Sequence, residues 1–199
     1  PLAVDVEGLV LRGFLRHRSA LADIARPGTT YAGLFTRSLR PAMTVVDGGA
    51  HLGLYSLIAA RAGARVLAFE PDPYNLRALM HNAATARIRI IPKALADGPG
   101  RASFYRNRTT IGSSLTRRGR SDIETTVELT SLDEELRGIE LESLLVKLNI
   151  EGAELRALEG MQETLARCLD VTMFVEVNPE VLPRPQELVD RLMKQIEPF

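Results

Sequence analysis

The sequence predicts an α/β fold of the doubly wound kind, and three observations carry that prediction. Thr44–Asp72, TVVDGGAHLGLYSLIAARAGARVLAFEPD, reads as strand, glycine-rich turn, helix, strand and acidic residue. Apolar stretches of strand length recur at Arg87–Pro92, Leu144–Ile150 and Val171–Val177, separated by stretches with helical spacing. An acidic residue, Glu70, closes the second strand, and open α/β sheets bind ligands outside the carboxyl ends of their strands.

Within the first unit, Val45 and Val46 close a short strand, and Gly48, Gly49 and Gly53 mark the turn. Leu54, Leu57 and Ile58 fall at i, i+3 and i+4, the spacing of a helix packed on a sheet. Val66–Phe69 form the next strand, followed by Glu70 and Pro71. A dinucleotide fingerprint needs Gly-x-Gly-x-x-Gly, but here Ala50 replaces the middle glycine. Asp47 stands just before the turn, where a carboxylate repels a pyrophosphate seated on the helix N-terminus. It suits a ligand with a cationic group and no phosphate, such as S-adenosylmethionine. Glu70 is placed to accept hydrogen bonds from ribose hydroxyls. These features disfavour an NAD-dependent oxidoreductase, which stands as the weaker alternative.

The pieces VVDGGAHLGLYS, VLAFEPDPYNLRALMHN, ALAD, LTSLDEEL and LLVKLNIEGAELRALEGM occur in this order between Ala42 and Asn178. Together they resemble the FkbM-type methyltransferases, a family within the Rossmann-like group that uses S-adenosylmethionine. The resemblance implies a mostly parallel Rossmann-like sheet and methyl transfer to an oxygen of a small molecule or glycan. In its full form that fold ends in two antiparallel strands, which this sequence does not show. Joined to the reading of the residues, it gives a cofactor set of Asp47, Gly48, Gly49, Ala50, His51, Gly53, Glu70, Pro71, Ala94 and Asn149. Ala94 and Leu95 fall where related enzymes hold the adenine. Two positions depart from the family's usual pattern: His51 stands where Asn is usual, and Asn149 where Asp is usual, which removes a carboxylate from that site.

Methyl transfer requires an acceptor held in line and relieved of its proton. Lys147, Asn149 and Glu151 alternate along the fourth strand and its exit, so they can share one direction toward the cleft. Glu151 is the candidate proton acceptor. Lys147 is either a second catalytic residue or an ion-pair partner of Glu151 or of a neighbouring strand end. Glu154 complements the dipole of the helix it begins. His51 is read as a hydrogen-bonding neighbour of the cofactor rather than a base, and His17 and His81 as ordinary surface or helix residues. A non-catalytic S-adenosylmethionine-binding module remains the alternative if turnover has been lost.

Residues 1–41 are expected to form strands and a helix that pack on a single domain spanning 42–199. Leu2, Val4 and Val6 alternate before Gly8, the pattern of a small β-hairpin. Arg12, Arg16, His17 and Arg18 read as a solvated face, and Thr30–Leu39 as a helix that brings Tyr31 near the cofactor mouth. Asp72 and Pro73 begin a helix with Leu76, Leu79, Met80 and Ala83 as its buried stripe. Gly98–Asp122 is rich in Arg and poor in large apolar residues. A short strand at Ala102–Tyr105 and a loop over Asn107–Arg120, either solvated or acting as a lid, are expected there. Thr125–Leu129 is another extended piece, with Ser131 capping the helix of Leu132–Leu136. Leu155, Leu158, Met161 and Leu165 line one helix, and Leu188, Val189, Leu192, Met193 and Ile196 line the last.

Hydrophobic residues make up 45% and charged residues 25%, the make-up of a soluble globular chain. The formal net charge is zero, so no global field draws nucleic acid or an anionic membrane. Neither is expected as a partner, and the protein is expected in the cytoplasm, with no signal peptide visible. One cysteine, Cys168, excludes a disulfide framework. No His, Asp or Glu cluster has metal-ligand spacing, so no metal is expected.

Overall fold

The computed structural model describes residues 2–6, 8–26, 31–106, 112–117, 123–177 and 185–196. The chain begins with an antiparallel hairpin of β1 (Leu2–Val6) and β2 (Leu9–Gly13), then passes through a 3-10 turn at Leu15–His17 into α1 (Arg18–Ala25) and α2 (Ala32–Ser38). The core unit follows as β3 (Thr44–Gly48), α3 (Leu54–Arg61), β4 (Arg65–Phe69), α4 (Pro73–Asn82) and β5 (Ile88–Ile91). Next come β6 (Ala94–Leu95), β7 (Gly100–Arg106), β8 (Ile123–Thr130) and α5 (Leu132–Glu135). The chain then returns to the core through β9 (Ser143–Leu148), α6 (Glu154–Glu159), α7 (Gln162–Arg167), β10 (Asp170–Val175) and α8 (Pro185–Ile196).

The central sheet has the order β10-β9-β3-β4-β5, and every neighbouring pair is parallel. The chain builds outward from β3 in one direction and from β9 in the other. A crevice therefore opens between the carboxyl ends of β3 and β9, the switch point at which such sheets bind ligands. Among the described residues this sheet has no antiparallel strand. A smaller sheet, β6-β8-β7, closes one side.

β3 is buried along its whole length, as a parallel strand covered on both faces should be. Alternation sends Val46, Leu144, Val146 and Leu148 to one face, where they meet Leu132, Leu158 and Met161. Val45 and Leu145 go to the other, against Leu11, Phe35 and Ile58. Leu11 is fully buried, so the N-terminal hairpin contributes to the core.

Some elements differ from expectation. The buried stripe of α4 is Asn75, Ala78 and Leu79, and Met80 is 57% exposed. A hydrogen-bonded asparagine takes the inward place that hydropathy gives to methionine. The helix after β9 is broken at Gly160, a position that requires glycine, since a Cβ there would meet the Ala96 carbonyl oxygen at 2.1 Å. Of the loop expected over Asn107–Arg120, residues 112–117 are described, and Ser114 exchanges backbone hydrogen bonds with Tyr105. The remainder, and the side chains of Leu188, Leu192 and Ile196, lie outside the described residues.

Candidate active site

The turn after β3 is shaped by close approach. Gly49 has φ +74°, and a Cβ there would meet the Asn149 carbonyl oxygen at 2.1 Å. His51 also adopts a left-handed φ, +53°. Asn, Asp and His tolerate that region best, which rationalises both this histidine and the asparagine usual in the resembling family. The amides of the turn are bonded within the protein. Gly49 and Ala50 N–H both donate to the Phe69 carbonyl at 3.0 Å, and Gly53 N–H donates to the Ala50 carbonyl at 2.8 Å. His51 N–H donates to Glu70 Oε2 at 2.8 Å.

Asp47 is fully buried beneath this turn. Its Oδ2 accepts a hydrogen bond from Ser56 Oγ at 2.6 Å. Its Oδ1 lies 3.0 Å from Lys147 Nζ, off the hydrogen-bonding direction. Asp47 and Lys147 are register partners on adjacent strands. The Lys147 ammonium also donates to the carbonyls of Gly48 (3.1 Å) and Gly49 (2.9 Å). Asp47 thus faces a lysine rather than the cleft, because the pairing of β3 with β9 brings the two together. Of the ion-pair partners expected for Lys147, the one found is on the neighbouring strand, Asp47.

Glu70 is 4% exposed. Besides His51 N–H it accepts Asp72 N–H at 2.8 Å and Asn75 Nδ2 at 3.4 Å, both on Oε1. Burial pushes its carboxyl up to about 7, although the amide hydrogen bonds pull the other way. Burial, with His17 and Lys147 nearby, holds the His51 imidazole down to about 3, so the ring is neutral at pH 7. Asp72 caps α4 by accepting Tyr74 N–H at 2.8 Å, with Pro73 at the first helical position.

Across the crevice the chain leaves β9 through Asn149, Ile150 and Glu151. Asn149 Nδ2 donates to Glu176 Oε2 at 2.9 Å, beyond the end of β10. Glu151 (φ +59°) and Gly152 (φ +102°) form a left-handed corner. Glu154, 1% exposed, turns back to accept Ile150 N–H at 3.2 Å and Gly152 N–H at 2.9 Å. Its role is more specific than the helix-dipole function expected of it: it fixes the corner that presents Glu151. His51 and Glu151, two of the three non-glycine residues with positive φ among the described residues, face the same cleft. Strain of this kind gathers at functional sites.

The cleft has a volume of about 290 Å³. Gly49, Ala50, His51, Glu70, Pro71, Ala94, Lys147, Asn149 and Glu151 line it, whereas Asp47, Gly48 and Gly53 lie behind its wall. Ala94 and Leu95 supply an apolar side, and Gly112, Ser113 and Leu115 cover one edge. Tyr31 stacks between Tyr55 (4.7 Å) and Phe174 (5.6 Å) at the other end. Burial raises both tyrosine hydroxyls, Tyr55 to about 12. Among the described lining residues the charged side chains are the carboxyl groups of Asp23, Glu70, Glu151 and Glu176 and one cation, Lys147, so the charged part of the lining is mostly acidic.

His17 overturns its reading as a surface residue. It is fully buried, and its ring lies 5.8 Å from that of His51. His81 is exposed. His17, Asn75 and Tyr55 are residues in or beside the cleft that sequence reasoning did not place, whereas Glu154 was placed only as a partner of the helix dipole. The polar residue on an otherwise apolar helix face was a usable signal for Asn75; nothing local marked His17. Among the described residues no cluster could hold a metal ion, and no helix is long and apolar enough to cross a membrane.

The model of the FkbM methyltransferase domain matches residues 47–197. The chain belongs to the FkbM methyltransferase family. Turn, acidic strand end and β9 exit all fall inside the matched residues, whereas the hairpin, α1 and α2 precede them. This is a family of S-adenosylmethionine-dependent methyltransferases, and the doubly wound parallel sheet is the architecture expected of it. No curated protein is a significant match to the sequence. Solved structures similar to this FkbM chain include a putative rRNA methylase from Clostridium thermocellum, at 9% identity and TM-score 0.49, covering 83% of this chain and 76% of the other. A precorrin-6y C5,15-methyltransferase from Geobacter metallireducens has 12% identity and TM-score 0.48, with coverages of 82% and 69%. A SAM-dependent methyltransferase from Agrobacterium tumefaciens has 13% identity and TM-score 0.49, covering 96% of this chain and 58% of its own.

Proposed function

We propose that this protein binds S-adenosylmethionine in the β3–β9 crevice and methylates an oxygen of a small molecule or glycan. One observation carries the cofactor reading: four amides of the glycine turn are already bonded to the protein. A pyrophosphate needs such amides as donors, and Gly49, Ala50, His51 and Gly53 have given theirs to Phe69, Glu70 and Ala50. The acidic lining fits a ligand that carries an ammonium and a sulfonium. Both observations weigh against the dinucleotide alternative.

Glu70 is the group to accept ribose hydroxyls, and Ala94 with Leu95 the apolar seat for the adenine. Asn149 and Glu176 form a neutral–anionic pair that can receive an ammonium. When bound, S-adenosylmethionine supplies an electrophilic methyl that passes in line to a nucleophilic oxygen. Glu151, held at its corner by Glu154, is the proton acceptor for the substrate hydroxyl. Lys147 is better described as a positioning residue, since its ammonium is directed at Asp47 and the two turn carbonyls. The stacked Tyr31 and Tyr55 offer a flat apolar surface, and concavity favours a small acceptor or a sugar over an extended polymer.

The test is transfer of labelled methyl from S-adenosylmethionine to a panel of hydroxylated small molecules and saccharides. O-methylated product supports the reading. Cofactor binding without turnover on any acceptor favours the non-catalytic module instead, and product methylated on nitrogen or carbon contradicts the assignment to oxygen.

A further inference from the structure

The N-terminal arm precedes the residues matched by the family, yet it is hydrogen-bonded to a residue that contacts Glu70. Phe14 N–H donates to His17 Nδ1 at 2.9 Å, which leaves the proton of the neutral ring on Nε2. His17 Nε2 then donates to Asn75 Oδ1 at 3.2 Å, across 58 positions of sequence. This fixes the amide: its Nδ2 faces Glu70 Oε1 at 3.4 Å, and the reversed amide would set oxygen against carboxylate. His17 and Asn75 are both buried. Gly13 lies so close that a Cβ there would come within 2.8 Å of the His17 side chain. A separate clamp holds the arm down: Asn82 accepts Arg12 N–H and donates to the carbonyls of Arg12 and Leu52, all at 2.9 Å.

We propose that His17 is a positioning residue for Glu70, acting through the amide of Asn75. A carboxylate at the ribose position works only if its oxygens point correctly. Two amides hold Glu70 from the turn and the α4 start, and Asn75 supplies the side-chain contact. His17 orients that contact. The arm would then be part of the cofactor site rather than an appendage to it. The charged and titratable groups around this chain are Glu70, Asp72 with Arg106 3.3 Å from it, and His51. Both variants below remove the imidazole beside His51, so any change at His51 is common to them and cancels in their comparison. The inference rests on the S-adenosylmethionine reading only for its effect on binding.

Two conservative variants separate positioning from packing. His17→Gln keeps a donor near the place of Nε2 and loses the acceptor for Phe14. His17→Asn keeps the acceptor near Nδ1 and cuts the link to Asn75. In the ligand-free protein, the carbon-13 carboxyl titration of Glu70 should move upward by about half a pH unit or more in His17→Asn, because an amide donor favours the ionised form. It should stay near the parental position in His17→Gln. Calorimetry should show S-adenosylmethionine bound about threefold to tenfold more weakly by His17→Asn alone, the worth of one hydrogen bond. If Glu70 moves as expected but the parent does not bind S-adenosylmethionine, the cofactor reading fails and the positioning link stands. If Glu70 titrates alike in the parent and His17→Asn, or alike in both variants, the proposal is overturned. Should His17→Asn not fold, the nitrogen-15 shifts of His17 in the parent decide: the Nε2–H tautomer is required, and Nδ1–H overturns it.

Discussion

The glycine turn after β3 and the exit from β9 face each other across the cleft, and they hold their shapes by different means. The turn is largely a local structure. Its amides close on Phe69 and Glu70 at the end of the next strand, and left-handed Gly49 and Gly53 set its path. The β9 exit depends on distant partners. Lys147 reaches back to Asp47 and the turn carbonyls, and Asn149 reaches forward to Glu176. Lys147 belongs to both halves and ties them together. The comparison teaches that Asp47 and Lys147 form one buried unit supporting the turn, so altering either should cost stability before it costs chemistry.

Breaking that unit should give the largest effect. Lys147→Met leaves Asp47 buried without its partner, which costs about 3–5 kcal/mol of unfolding free energy in such pairs. Urea unfolding measures this, and Asp47→Leu combined with Lys147→Met should recover part of the loss. If Lys147→Met is as stable as the parent, the two halves are not tied as described.

Removing the proposed proton acceptor comes next. Glu151→Gln should lower turnover by ~10²-fold while leaving S-adenosylmethionine affinity unchanged, as loss of a general base does. Single-turnover rates on an identified acceptor check this. A parental rate would reduce Glu151 to a corner residue.

On the turn side, Glu70→Gln should weaken S-adenosylmethionine binding by ~1.5–3 kcal/mol, the range of a charge-assisted hydrogen bond. It should also change how stability varies with pH. In the parent, Glu70 is raised from 4.5 to about 7 by folding, so its contribution to stability is greatest at low pH and is lost as pH rises through that window. His51, lowered from 6.5 to about 3, opposes it, contributing at neutral pH and losing that contribution as pH falls through 6.5 toward 3. Glu70→Gln removes the first trend only. Its stability should therefore climb more steeply than the parent's between pH 5 and pH 6.5, as read by urea unfolding at each pH.

The smallest change is expected from His51→Asn. Asparagine accepts the left-handed backbone, and the bond from residue 51 N–H to Glu70 is a main-chain one. Stability at neutral pH should fall by about 1 kcal/mol or less, the ring contact with His17 being what is lost. A large loss would assign the imidazole ring a role that its backbone geometry does not explain.

How much of this was legible in the sequence follows the same division. The turn, Glu70, the cap at Asp72 and the parallel strands were readable because apolar periodicity and glycine spacing are local signals. The cleft lining was readable where it lies at strand ends: nine of the predicted residues fall in it. The orientation of Asp47 was not, because it depends on the register of β3 against β9. Met80 and Asn75 exchanged places for a related reason, since the asparagine's partner, His17, lies on a distant segment. Sequence spacing shows which face a residue can occupy, whereas a buried polar residue's face is decided by a partner that spacing does not reveal.

The central claim is that the crevice takes S-adenosylmethionine and not a dinucleotide. Titration calorimetry of the full chain with S-adenosylmethionine, S-adenosylhomocysteine and NAD tests it most directly. The bonded turn amides and the acidic lining predict saturable one-to-one binding of the first two and no heat of binding from NAD. Saturable binding of NAD, with none of S-adenosylmethionine, would contradict it.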